Sequence, residues 1–232
     1  MNFREELLKL NIELSDEASS RFDLYYKRLI AVNEVMNLTA ITEEQEVYNK
    51  HFLDSLMIVK ALDLNKEFTL CDVGSGAGFP SIPLSIVSDN AKVTIIDALN
   101  KRIKFLNDLI LELGLKNVIA LHERAEDYAK IKRESFDVTT ARAVARLNIL
   151  SELCLPLTKV GGYFIAMKGQ GGNEEIKEAS RGIEILGGHV EKVISLELPD
   201  NAGARDIIII KKIKETPKKY PRAFAKIKER PL

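Results

Sequence analysis

The sequence predicts an α/β fold: a seven-stranded, mostly parallel sheet with helices on both faces, preceded by a helical extension. Three observations predict it. Residues 1–64 carry their apolar positions at helical spacing, seven short β-rich runs separated by helical segments follow, and the first of those runs ends in the glycine-rich turn DVGSGAGFP. Strands that alternate with helices imply βαβ crossovers, and therefore parallel pairing.

In the extension, Leu7, Leu8 and Leu10, then Phe22, Tyr25, Leu29 and Ile30, recur at three- and four-residue steps. Thr42 followed by Gln45 has the form of a capping box and predicts the start of a third helix, carrying Val47, Leu53, Leu56 and Ile58. After Asn65 the strand candidates are FTLCDV, KVTIIDA, NVIALH, FDVTTA, GYFIAMK, HVEKVISLEL and DIIIIKKI. Only PDNAGAR separates the last two, so the sheet is expected to end in an antiparallel, hairpin-like edge. From Lys211 onward nine Lys or Arg stand against two Glu, and two prolines break any long helix before the terminal segment. The expected organisation is an extension over residues 1–64, a core over 65–214 and a basic tail over 215–232 packed on or near the core.

A chain of 232 residues with 46% hydrophobic content supports one substantial core. Lys plus Arg and Asp plus Glu both number 34, so any attraction to nucleic acid must be local. Cys71 and Cys154 form no CxxC pair or Cys/His cluster, which argues against a disulfide framework or structural zinc and fits a reducing cytoplasm. The start, MNFREELLKL, lacks the apolar stretch of a signal peptide, and no apolar run approaches the roughly 20 residues that span a bilayer. A cytoplasmic protein with no metal, no membrane contact and a monomeric state is expected.

The loop after FTLCDV is placed to bind a ligand, because open parallel sheets bind ligands beyond the carboxyl ends of their strands. Gly74, Gly76 and Gly78 permit positive φ and remove the Cβ atoms that would hold a ligand off the main chain. A phosphate-binding P-loop would need Lys followed by Ser or Thr, where Phe79 and Pro80 stand. A dinucleotide site prefers GxGxxG, and Phe79 occupies the position of its third glycine. S-adenosylmethionine has no phosphate and carries an ammonium group that Asp72 is positioned to meet, so the DxGxGxG form favours the methyl donor. Asp97, 19 positions after Gly78 at the end of the second strand, suits the ribose hydroxyls of either nucleoside cofactor. Ala125 and Glu126, after the third strand, would border the adenine.

The runs MNLTAI, HFLDSL, DVGSGAGFP, DALNKRIKFL, RAED, ARAVA, MKG and KKYPR together resemble the glucose-inhibited division protein B family of small-subunit ribosomal RNA guanine-N7 methyltransferases. The resemblance covers nearly the whole chain. It implies a Rossmann-like class I methyltransferase that uses S-adenosylmethionine to methylate N7 of a guanine in 16S rRNA, with the rRNA or the small ribosomal subunit as partner. It also implies that Gly74, Phe79, Ala125, Glu126 and Arg142 belong to the donor pocket. The family usually reads PGIPL where Ser81 stands here, and a glycine and a proline where AFAKIKERPL follows the KYPR run.

Guanine N7 has an in-plane lone pair, so its methylation needs alignment rather than a base. Arg142 and Arg146, which flank the fourth strand's end, are candidates to engage O6 while leaving N7 free. Lys168 is a candidate phosphate contact. Asn37, His51 and Asp54 are read as a polar cluster over the donor site, His51 and Asp54 sharing a helix face at i, i+3. Tyr220 and Phe224 in the basic tail suit base stacking. Two alternatives stay open: a small-molecule acceptor, or an NAD-dependent oxidoreductase.

Overall fold

The computed structural model describes residues 1–232. The extension comprises α1 (Phe3–Lys9), α2 (Asp16–Met36) and a helical run that changes pitch: α3 (Glu44–Val47), a π-helical stretch (Tyr48–Leu53), α4 (Asp54–Leu56) and a 3-10 turn (Met57–Ala61). Ser15 caps α2, its hydroxyl accepting from the Ala18 amide, and Ala18, Phe22, Tyr25 and Leu29 form its buried stripe. The capping box expected at Thr42 is displaced by one residue. Glu43 is the cap, its carboxylate accepting from the Glu46 amide at 2.8 Å, while the Thr42 carbonyl accepts from the Tyr26 hydroxyl.

Seven strands follow: β1 (Phe68–Val73), β2 (Ala91–Asp97), β3 (Val118–His122), β4 (Phe136–Arg142), β5 (Thr158–Lys168), β6 (Gly188–Glu197) and β7 (Ala204–Lys212). Between them lie α5 (Ser81–Val87), α6 (Asn100–Glu112), α7 (Ala125–Ile131), α8 (Leu147–Cys154) and α9 (Gly172–Ile185), and α10 (Phe224–Glu229) closes the chain. The sheet order is β3-β2-β1-β4-β5-β7-β6. β1 to β5 pair in parallel, whereas β7 runs antiparallel between β5 and β6. The expected hairpin is present, and its second strand lies inside the sheet with β6 at the edge. This explains the unbroken Ile207–Ile210 run: Ile207 and Ile209 enter one core cluster, Ile208 and Ile210 the other.

Those two clusters are the two faces of the sheet. One joins β-strand residues such as Leu70, Val93 and Ile165 to α5, α6 and the extension, so residues of α1, α2 and the π-helical stretch share a core with the sheet. The other joins Cys71, Ile96 and Phe164 to α7, α8, α9 and the tail residues Tyr220 and Ile227. The chain leaves β1 toward β2 on one side and later enters β4 on the other. Their carboxyl ends therefore flank the crevice where doubly wound sheets bind ligands.

Candidate functional site

The glycines after β1 do different work. All three are in the left-handed region, with φ of +76° at Gly74, +63° at Gly76 and +109° at Gly78. A Cβ on Gly76 would meet nothing within 4 Å, so this backbone faces open space. On Gly74 it would lie 2.9 Å from Val144 Cγ2, in the loop after β4. On Gly78 it would strike Ile82 Cγ1 at 2.6 Å and the Tyr25 hydroxyl oxygen at 2.9 Å. Gly78, expected to approach a ligand, instead lets the loop pack on α5 and α2. Tyr25 pins that contact by donating its buried hydroxyl to the Ala77 carbonyl at 2.6 Å.

Above the loop is a cavity of about 470 Å³. Its walls bring together Gly74, Gly76, Phe79, Asp97, Ala125, Glu126 and Arg142 from the sequence reading. Asp97 is nearly fully buried. One carboxylate oxygen accepts from the Leu99 amide at 2.8 Å and the other from Arg102 at 3.2 Å, which fixes the group at the cavity edge while leaving lone pairs for a ligand. Ser75, also on the wall, has a buried hydroxyl with no partner within the protein. An open glycine cradle, a fixed carboxylate and an orphaned hydroxyl fit a polar nucleoside.

Asp72 is not among the lining residues. Strand alternation turns it to the Leu70 side of β1, where it is fully buried and accepts from the Ser81 hydroxyl at 2.7 Å, its second oxygen unpartnered. Burial pushes its carboxyl up to about 8. The expected ammonium contact is thus corrected: Asp72 lies beneath the loop as a neutral acid at pH 7, with Ser81 as its hydrogen-bond partner.

A second cavity, of about 410 Å³, shares His51, Arg142 and Ala143 with the first. Lys50, Asp54, Lys168, Glu175 and Arg205 complete its charged lining. Asp54 accepts from Arg142 and from Arg205, each at 2.9 Å. Lys168 donates to the Ala145 carbonyl at 2.7 Å and pairs with Glu175 at 2.8 Å. Phe79 stacks on His51 with ring centroids 4.6 Å apart and carries the Arg142 guanidinium 4.8 Å from its centroid. Burial, reinforced by Arg142, holds His51 down to about 4. The imidazole is therefore neutral at pH 7. Arg142 faces its Nδ1 at 3.4 Å, which assigns the proton to Nε2, donating to the Thr39 hydroxyl at 2.7 Å.

Three expected contacts lie elsewhere. Asn37 ends α2 as a left-handed cap with φ of +49° and lines neither cavity. Arg146 forks onto Glu178 at 2.6 Å on the surface, an ion pair that takes it away from both. Tyr220 is buried, so it has no face for a base. Sequence reasoning missed Arg102, a cation one turn into the helix after the acidic strand end, for which the DALNKR run carried a signal. It also missed Arg205, which reaches Asp54 across 151 residues with no local signal.

No helix is long and apolar enough to cross a membrane. Among families, GidB, described as rRNA small subunit methyltransferase G, matches residues 18–204. The Ribosomal RNA small subunit methyltransferase G of Staphylococcus saprophyticus is 58% identical over 219 residues, covering 94% of this chain and 92% of its own length. That of Staphylococcus carnosus is 54% identical over 231 residues, covering 98% and 96%. Among solved structures, a SAM-dependent methyltransferase from Aquifex aeolicus superposes with a TM-score of 0.53 at 23% identity, covering 75% of this chain and 96% of that one, a likeness of fold.

Proposed function

Because the chain belongs to the rRNA small subunit methyltransferase G family, we propose that it transfers the methyl group of S-adenosylmethionine to N7 of a guanine in 16S rRNA. The observation that carries this reading is the pair of cavities meeting at His51 and Arg142, one built for a nucleoside and the other rimmed by cations. Bound S-adenosylmethionine supplies an electrophilic methyl group on a sulfonium. The backbone at Gly74 and Gly76 with the Ser75 hydroxyl holds its amino-acid end, Asp97 accepts from its ribose hydroxyls, and Ala125 and Glu126 border its adenine.

The guanine enters the second cavity. Arg142, shared by both compartments, donates toward O6 and leaves the N7 lone pair exposed. Lys168 and Arg205 meet phosphate, and Asp54 holds Arg142 and Arg205 in register. N7 carries no proton, so no general base is required, and His51, neutral at pH 7, acts by stacking on Phe79. Alignment of the two reactants is the main contribution, an effect worth about 7 to 11 kcal/mol for well-oriented partners. A protein acting on ribosomal RNA works in the cytoplasm.

Purified protein given methyl-labelled donor and small-subunit RNA or particles from cells lacking the enzyme is expected to place label on guanine N7. Label on another atom contradicts the acceptor assignment, and absence of transfer contradicts the activity.

A further inference from the structure

The C-terminal tail contributes to the nucleoside cavity. Phe224, the first residue of α10, lines it alongside Leu153 of α8 and Ala125 and Glu126 of α7. The cavity has three aromatic lining residues, and two of them, His51 and Phe79, stack on each other. Phe224 is stacked on no other ring and is only half-buried.

The tail is fastened in a way that fixes this ring. A six-residue helix such as α10 has no independent stability, so contacts elsewhere must place it. Two residues before Phe224, Arg222 clasps Glu152 of α8. The Arg222 amide donates at 2.8 Å, Nε at 2.9 Å and a terminal nitrogen at 2.6 Å. Glu152 is wholly buried, so this is a charge the fold leaves to a single partner. Arg133 donates to the Tyr220 carbonyl at 2.8 Å, and Tyr220 and Ile227 are buried against the same face of the sheet. The anchoring helix α8 is the one that supplies Leu153 to the cavity.

We propose that Phe224 is a donor-binding residue whose ring covers a face of the purine, making the basic tail a wall of the nucleoside site. The inference rests on the methyl-donor reading of that cavity. A flat apolar purine face against an unstacked aromatic ring is a favourable pairing. Loss of the tail then weakens donor binding itself, independently of any effect on RNA.

Calorimetric titration of the full chain with S-adenosylhomocysteine tests this. Phe224→Ala is expected to bind about tenfold more weakly than the parent. Phe224→Leu, which keeps apolar bulk, is expected to fall between them. The double change Lys226→Ala with Lys228→Ala, at exposed positions of the same helix, is expected to bind like the parent. Thermal melting of each variant without ligand checks the fold, and Phe224→Leu stands in if Phe224→Ala unfolds. Unchanged affinity in the folded Phe224 variants overturns the proposal, as does an equal loss in the lysine variant. Weaker binding of a small-subunit RNA fragment with donor affinity intact would place the ring on the acceptor side and also overturn it. Failure of the parent to bind S-adenosylhomocysteine would instead remove the methyl-donor reading.

Discussion

Asp97 and His51 show how burial sets the role of a single side chain. Asp97 is held by an amide and a guanidinium and still borders the cavity. Hydrogen bonds from the hydroxyls of a ribose to such a carboxylate would each be worth about 1.5 to 3 kcal/mol. Asp97→Ala is expected to weaken donor binding by roughly ten- to a hundredfold with the melting transition retained, measured by calorimetry. Unchanged affinity would mean that the ribose is held elsewhere. His51 makes a prediction of pH dependence. Its folded-state value of about 4 lies below the ordinary 6.5, so between those limits the unfolded chain binds more protons. The stability it contributes is present above pH 6.5 and is lost as pH falls toward 4. An NMR titration should show the imidazole, assigned by its disappearance in His51→Gln, neutral until near pH 4, and a midpoint near 6.5 would contradict the burial argument.

Among the elements, the glycine loop separates packing from binding. Gly76→Ala places its methyl in open space at a left-handed φ, with a backbone cost of about 1 to 2 kcal/mol. It should therefore lower donor affinity more than stability. Gly78→Ala drives a methyl into Ile82 and Tyr25, so urea unfolding should reveal a larger loss, about 2 to 4 kcal/mol. Equal losses of stability would contradict the division of labour. The sequence could not reveal this split, because both glycines obey the same motif and only the approach of Ile82 and Tyr25 tells them apart. The strands were legible, since runs such as FTLCDV and DIIIIKKI carry unmistakable β composition and punctuation. The shift from Thr42 to Glu43 at the third helix was not, because two adjacent residues both offer an oxygen to an open helix start.

At the scale of the molecule, the order of elements along the chain fixed the parallel sheet and its crevice, and hence the meeting of Gly76, Asp97 and Ala125. Contacts closed over long separations stayed hidden. Tyr25 with Ala77, Asp54 with Arg205 and Glu152 with Arg222 join the extension, β7 and the tail to the two cavities. Asp72 was misplaced for a related reason: its motif position matched a ligand contact, but the alternation of β1 carried it under the loop. The balanced total charge likewise conceals the cations gathered around the second cavity.

On the proposed reading, the crevice between β1 and β4 cradles the methyl donor with its reactive end toward the Arg142 compartment. A crystal structure of the full chain bound to S-adenosylhomocysteine tests it most directly. The ribose is expected on Asp97, the amino-acid end on the backbone at Gly74 to Gly76, and the sulfur facing His51 and Arg142. Ligand seated away from Gly76 and Asp97, or with its sulfur turned from Arg142, would contradict the account.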